Sequence, residues 1–189
     1  MSTGVLRRDL YEGLGNILET EGDDGFITNG PKLVQRAFSA NPSLFNGLRF
    51  VRAENNYTRA KVIGEEGRHV ILAMEWAPGF YLLPHEHHGR PCFDFVIQGH
   101  LRVTDYEANK INGNKRIERY RLTPLRTYGA KTGNFVVVNP SFGEIHSVKT
   151  IEKSRSIHFY PGDNAYSFGY ERLNGTDTFI RKKISLKHD

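Results

Sequence analysis

The sequence predicts a mainly β domain preceded by helices, and two observations carry this prediction. The chain has 19 glycines, 8 prolines and 12% aromatic residues among its 189 residues, which suits many turns better than a helical bundle. From about Tyr57 onward, short runs with β-type patterns alternate with turn signals such as Pro78-Gly79 and Asn139-Pro140. Many short strands joined by glycine-rich turns indicate a sandwich or a barrel.

The elements follow from the spacing of apolar residues. Apolar residues recur at helical spacing between Val5 and Leu18, and a second helix is predicted to begin at Pro31 and to be interrupted at Asn41-Pro42. We expect a single domain over residues 1–189, with a helical N-terminal cap over 1–50 and a β-barrel over 51–189. The predicted strand runs are Arg59–Ile63, His69–Trp76, Cys92–Tyr106, Ile117–Leu122, Asn134–Val138, Ser147–Thr150, Ser156–Tyr160 and Asp177–Ile184.

Charge and hydropathy narrow the class of protein. The net charge is +5, but the basic residues are scattered, so a solvated surface is favoured over nucleic-acid binding. No apolar run approaches membrane-spanning length, and residues 1–18 lack the apolar stretch of a signal peptide. A single cysteine excludes an intrachain disulfide. These features lead us to expect a cytoplasmic enzyme without nucleic-acid or membrane partners.

The histidines carry the strongest chemical signal. His85 and His87 are two residues apart, so on a strand both imidazoles point to the same side, whereas His88 points elsewhere. A third ligand must come from a distant strand, and His146 follows another glycine-containing turn at Gly143. A single histidine is more often a surface or core residue than a ligand. The framed pair nevertheless predicts a three-histidine metal site.

These segments resemble the two sequence motifs of the cupins. The first motif has glycine, five residues, His-x-His, four residues, an acidic ligand, six residues and glycine. The frame here is formed by Gly79, His85, His87, Cys92 and Gly99 at matching spacings. The second motif is looser and consists of Gly133, Pro140, Gly143 and His146. The resemblance implies a cupin barrel, a double-stranded β-helix, over most of the chain after Tyr57.

Cys92 stands where cupins commonly have an acidic ligand. Three neutral imidazoles would leave a divalent ion with its full charge and with open positions, which favours an incoming thiolate and leaves room for dioxygen. Cys92 as a fourth ligand is the alternative.

Further motifs resemble the cysteine dioxygenase family of thiol dioxygenases. His85-Glu86-His87 is followed by Cys92-Phe93 and then by Gln98-Gly99, and Trp76 lies nine residues before His85. Tyr57-Thr58-Arg59 looks like the Tyr-Thr-Arg segment of the family, and Ser156-Ile157-His158-Phe159-Tyr160 looks like its Ser-x-His-x-Tyr strand. Each piece has a plainer alternative as barrel packing or a surface cation, but their joint occurrence in order is specific.

The resemblance implies a set of roles. His85, His87 and His146 would hold Fe(II), Arg59 would bind the carboxylate of the substrate beside Tyr57, and Ser156, His158 and Tyr160 would form a hydrogen-bonded relay. In mammalian-type members the cysteine at the position of Cys92 is joined to the relay tyrosine by a thioether, so a bond to Tyr160 is possible here.

The reaction implied is the oxidation of a small carboxylate-bearing thiol by dioxygen to its sulfinic acid, with L-cysteine as the first choice. 3-Mercaptopropionate and mercaptosuccinate remain alternatives, although Arg59 favours the cysteine type. Rival hypotheses are a metal-binding cupin without oxygenase activity and a storage or sensory module. Asp94 shares strand parity with Cys92 and is expected to face the barrel interior, where a buried charge needs a partner: a substrate amine, Arg59 or another barrel residue.

Overall fold

The computed structural model describes residues 2–52, 57–65, 67–111, 118–162 and 166–185. In these ranges the chain forms a long helix, α1 (Thr3–Ala40), followed by twelve strands. The strands are β1 (Val51–Arg52), β2 (Tyr57–Gly64), β3 (Val70–Trp76), β4 (Tyr81–Glu86), β5 (Cys92–Gln98), β6 (His100–Lys110), β7 (Arg119–Lys131), β8 (Phe135–Val138), β9 (Ile145–Thr150), β10 (Ser154–Tyr160), β11 (Tyr166–Arg172) and β12 (Phe179–Ser185).

The N-terminal helix differs from the prediction in its middle. Two helical segments meet at Gly22, whose backbone is not helical, and Pro31 lies inside the second segment. The predicted start at Pro31 is therefore wrong. The second segment begins earlier because Phe26 already belongs to the apolar face and is fully buried. The helix ends at Ala40, next to the predicted interruption at Asn41-Pro42.

The strands form two antiparallel arrangements. Six strands make a sheet in the order β1-β2-β3-β10-β5-β8, and the other six pair in a closed ring in the order β11-β12-β7-β6-β9-β4. This barrel architecture with an N-terminal helix confirms the predicted fold class, a mainly β cupin barrel. Among the described residues, no helix has both the length and the apolar character needed to cross a bilayer.

The central strands β3, β10 and β5 of the six-stranded sheet are buried on both faces. On β5, Phe93 and Phe95 pack toward α1, whereas Cys92 and Val96 belong to a second apolar cluster inside the barrel. Strand β10 alternates in the same way, since Phe159 packs with the helix cluster and Tyr160 with the interior cluster. Side chains alternate across a strand, so every second residue of these strands faces the barrel interior.

Some strand boundaries depart from the predictions. The single predicted run Cys92–Tyr106 is broken at Gly99, whose φ of +88° turns the chain from β5 into β6. Strand β7 extends well beyond the predicted run because a register shift opposite Pro124 accommodates that proline within the strand pair. Strand β11 was not among the predicted strands. It pairs with β12 and β4 and closes the ring.

Candidate metal centre

Two neighbouring strands of the closed ring bring the three predicted ligands together. His85 near the end of β4 lies directly opposite His146 on β9, and His87 follows the last residue of β4. The pairing of β4 with β9 is irregular between Leu82 and His85. Such irregularities change the direction in which side chains point, and they are common beside active sites.

The three imidazoles are close enough to share one ion. The centroid of the His85 ring lies 5.1 Å from that of His87 and 4.4 Å from that of His146, and the rings of His87 and His146 are 5.0 Å apart. One ring nitrogen from each residue lies within 4.8 Å of the others. His87 and His146 are buried, and His85 is half-buried.

The hydrogen bonds of the rings fit a metal site. Nδ1 of His85 lies 3.0 Å from the carbonyl oxygen of Leu83, and Nδ1 of His87 lies 3.0 Å from Sγ of Cys92. Nε2 of His87 and Nδ1 of His146 are buried without a hydrogen-bond partner among the described residues. Ligating histidines commonly anchor one nitrogen and leave the other for the ion. The donor set therefore fits a divalent transition metal.

Burial keeps the three ligands neutral. Desolvation lowers the pKa of His85 to about 4 and lowers the pKa of His87 and His146 well below the usual value, and neighbouring histidines add to the effect for the last two. Neutral imidazoles have a free lone pair for a metal at neutral pH. No carboxylate belongs to this group among the described residues, so an ion held by these side chains would keep its full charge.

Cys92 lies beside the site and contacts one of its ligands. Its side chain is fully buried, and burial, followed by the charge of Asp94, raises the pKa of the thiol well above its usual value. The cysteine is not part of the three-histidine group. With a metal on Nε2 of His87, the Nδ1–H of that ring would donate to Cys92 Sγ, so the sulfur would orient a ligand.

A chain of hydrogen bonds faces the histidines from the six-stranded sheet. The indole Nε1 of Trp76 donates to Ser156 Oγ at 2.8 Å, and this hydroxyl lies 2.7 Å from Nε2 of His158. The other ring nitrogen, Nδ1, lies 2.7 Å from Oδ1 of Asp94 but 3.5 Å from the hydroxyl of Tyr160. The three predicted relay residues thus lie on one face, with Asp94 nearer to His158 than Tyr160 is.

Tyr160 and Arg59 connect this relay to the metal site. The ring centroids of Tyr160 and His87 are 5.5 Å apart. Arg59 lies on β2, and its charge acts on both Tyr160 and His85. Burial lowers the pKa of the Arg59 guanidinium, but arginine stays cationic in proteins. A positive charge therefore lies near the three histidines. The side chain of Tyr57 lies outside the described part of the structure.

The remaining histidines near the motif serve other contacts. Nε2 of His88 lies 3.0 Å from the carbonyl oxygen of Tyr166, and its ring packs on Phe168; it is not part of the three-histidine group. His69 is buried against the N-terminal helix, where Nε2 lies 2.8 Å from the carbonyl oxygen of Tyr11.

Two contacts beside the site were not predicted from the sequence, although both residues were singled out there. Barrel packing was the alternative given for Trp76, and the residue is buried, but its indole N–H also donates to Ser156. Asp94 was expected to need a partner, and the structure gives His158. Parity indicated that Asp94 faces inward, but the pairing of β5 with β10, which sets Asp94 opposite His158, has no local signal.

Comparison with known proteins finds distant relatives. No protein-family model matches the chain. Cysteine dioxygenase type 1 of Rattus norvegicus is 24% identical over 139 residues, which cover 71% of this chain and 66% of that protein. The same figures hold for cysteine dioxygenase type 1 of Mus musculus. The chain thus spans slightly less than two thirds of these relatives.

Solved structures with a similar fold share little sequence with this chain. The polyketide cyclase RemF from Streptomyces resistomycificus has a TM-score of 0.48 and 17% identity, with 68% of this chain and 83% of that chain covered. The cupin domain of Schizosaccharomyces pombe Cnp3 has a TM-score of 0.45 and 16% identity, with 62% and 70% covered. KdgF from Halomonas sp. has a TM-score of 0.44 and 16% identity, with 61% and 88% covered.

Proposed function

We propose that this protein is a thiol dioxygenase that oxidises a small carboxylate-bearing thiol, first of all L-cysteine, to its sulfinic acid. The proposal rests on one observation: a cation, Arg59, and a phenol, Tyr160, lie near three neutral histidines. The distant similarity to cysteine dioxygenase type 1 supports the same reaction.

His85, His87 and His146 would hold Fe(II). Bound Fe(II) would supply the redox chemistry that joins dioxygen to a thiol sulfur, which no amino-acid side chain supplies. A site whose ligands carry no negative charge favours an anionic thiolate over a neutral thiol. The neutral state of the three imidazoles at pH 7 therefore supports both the metal and the class of substrate.

Arg59 would bind the carboxylate of the substrate. Its guanidinium presents a rigid fork that matches a carboxylate in a bidentate pair, and its charge reaches the ring of His85. A thiol anchored through its carboxylate has its sulfur held in one position, which removes most of the orientational cost of the reaction.

Tyr160 would act as a hydrogen-bond donor at the reacting end of the substrate. Burial, followed by the charge of Asp94 and the nearby thiol of Cys92, raises the pKa of its hydroxyl well above the usual value, so the phenol keeps its proton at neutral pH. A buried donor at a fixed position stabilises developing negative charge more than water does.

The proposed reaction is tested by oxygen uptake. Protein reconstituted with Fe(II) should consume dioxygen with L-cysteine, and a panel with 3-mercaptopropionate and mercaptosuccinate ranks the substrates. His146→Ala should lose metal and uptake, whereas His100→Gln, which removes a histidine elsewhere, should keep both. Iron-loaded protein that oxidises none of the thiols would refute the dioxygenase and favour a metal-binding cupin without oxygenase activity.

A thioether between Cys92 and Tyr160 is a separate part of the proposal. Both side chains are buried in the cluster inside the barrel. Forming the bond removes a pair of hydrogens, with dioxygen as the oxidant, so intact mass would fall by their mass. Full labelling of the thiol in denatured, active enzyme would exclude the crosslink.

A further inference from the structure

We propose that Asp94 is a positioning residue that holds the ring of His158 with its proton on Nδ1, and that this leaves the hydroxyl of Tyr160 free to donate into the metal pocket. The tautomer follows from contacts within the protein. Only the kinetic consequence rests on the proposed thiol dioxygenase function.

Two groups compete for the same nitrogen. Oδ1 of Asp94 lies 2.7 Å from Nδ1 of His158, whereas the hydroxyl of Tyr160 lies 3.5 Å away. The backbones of Asp94 and His158 are direct partners across β5 and β10. A ring N–H placed 2.7 Å from a carboxylate oxygen makes a charge-assisted contact even when it is not aligned as a full hydrogen bond, and this contact is stronger than one to a neutral hydroxyl at 3.5 Å. Asp94 therefore takes the nitrogen.

Burial makes this contact necessary. Asp94 is 4% exposed, and its Oδ1 has no contact with full hydrogen-bond geometry among the described residues; Nδ1 of His158, at 2.7 Å, is the atom beside it that can carry a proton. A buried carboxylate without a donor is costly. His158 on the neighbouring strand supplies that donor only if Nδ1 carries the proton.

The opposite side of the ring leads to the same tautomer. An indole N–H can only donate, so Ser156 Oγ accepts from Trp76 at 2.8 Å. Within the described residues, the remaining contact of this hydroxyl is Nε2 of His158 at 2.7 Å. The hydroxyl proton therefore points to Nε2, which accepts. Donation runs in one direction, from Trp76 through Ser156 and His158 to Asp94.

This order of groups has the spacing of a Ser-His-Asp triad but not its function. In a hydrolase the serine oxygen must reach a substrate. Ser156 is 0% exposed, and its oxygen accepts the indole proton of Trp76. Ser156 is thus part of a support for His158, and the group at the pocket is Tyr160.

The tautomer can be measured without metal or substrate. In protein labelled with nitrogen-15 histidine and freed of metal, the two ring nitrogens of His158, assigned by their loss in His158→Gln, should show a protonated Nδ1 and an unprotonated Nε2. Asp94→Asn should keep this pattern because its amide oxygen still accepts. Asp94→Leu should shift part of the population to a protonated Nε2, because only Ser156 then favours the original tautomer. Val136→Ala, which alters packing at the strand partner of Asp94, should leave the pattern unchanged. A protonated Nε2 in the wild type, or an unchanged pattern in Asp94→Leu, would overturn the proposal.

Kinetics separate positioning from substrate binding. In the iron-loaded enzyme, Asp94→Leu should lower kcat about tenfold with little change in KM, and Asp94→Asn should recover most of the loss. If Asp94 instead bound the amine of L-cysteine, KM for L-cysteine would rise while that for 3-mercaptopropionate, which lacks the amine, would not; this result would contradict the positioning role. Wild-type enzyme inactive with every thiol would refute the proposed function, and the tautomer measurement would still decide the role of Asp94.

Discussion

Replacing Ser156 by alanine tests the hydrogen-bond chain at its most buried point. The serine is 0% exposed, accepts from Trp76 and contacts Nε2 of His158. The substitution removes both hydrogen bonds at a position that is shielded from solvent. Each buried polar group that loses its partner costs about 1–3 kcal/mol. Two such groups lose their partner, so we expect the free energy of unfolding to fall by about 2–6 kcal/mol.

Thermal unfolding of metal-free protein measures this loss. For a chain of 189 residues, 1 kcal/mol corresponds to about 2–4 °C in Tm, so Ser156→Ala should lower Tm by roughly 4–24 °C. The matched control is Ser154→Ala on the same face of β10. Ser154 is also buried, but its partners are the backbone of His100 and Glu152, which water can reach, so we expect a loss of about 1 kcal/mol.

Activity gives the second measurement for this pair. Ser156→Ala should lower kcat for oxygen uptake by about tenfold, because Nε2 of His158 loses its hydrogen bond with the serine hydroxyl. Ser154→Ala should leave kcat unchanged. Equal losses of Tm in the two variants, with full activity in Ser156→Ala, would exclude a supporting role of Ser156 for His158.

Four further predictions address the anchor, the metal, the pH dependence and a turn. Arg59→Leu should lower kcat/KM for L-cysteine by about 10–100-fold through the lost ion pair, but not for cysteamine, which has no carboxylate; equal losses would contradict an anchoring role. Zn(II) at a thousandfold excess over its Kd should stabilise the protein by about 4 kcal/mol and raise Tm, with no rise in His146→Ala. In the folded protein, the pKa of each of the three metal-site histidines lies below the usual value, so the unfolded chain takes up protons first as pH falls. The free energy of unfolding of metal-free protein, measured in urea, should therefore be highest above pH 6.5 and decline toward pH 5. The decline should be shallower in His146→Asn. Gly99→Ala should lower the free energy of unfolding by about 1–3 kcal/mol more than Gly133→Ala, as measured by thermal unfolding. Both glycines have a positive φ, but only a Cβ at Gly99 would clash with Lys153 O, at 2.5 Å. Equal decreases in the two variants would exclude the clash as the cause.

Local patterns were sufficient to predict much of the fold. Alternating apolar residues located most strands after Tyr57, since burial on one or both faces leaves a signal with a period of two. The helix was predicted less well, because the preference of proline for the first turn placed a start at Pro31 although Phe26 already packs on the sheet. Strand β11 was missed because its pairing with β4 depends on residues far away in the sequence.

The candidate site was likewise predictable only in part. The spacing of His85 and His87 and the turn before His146 predicted residues that the structure brings together. The contact between Asp94 and His158 could not be predicted, because it depends on which residue of β5 lies opposite which residue of β10. The hydrogen bond from Trp76 to Ser156 likewise joins two strands that are distant in the chain.

The burial of β5 and β10 on both faces limits how this protein can change in evolution. Inserting or deleting one residue inside β10 would exchange its two sets of side chains, so Phe159 would enter the metal pocket and His158 would turn toward the helix. One length change would then remove the core and the relay together. Length variation should be confined to turns such as 151–153, while these two strands change only by substitution. A relative with a different thiol preference should therefore keep the lengths of both strands and differ in the residues that face the pocket.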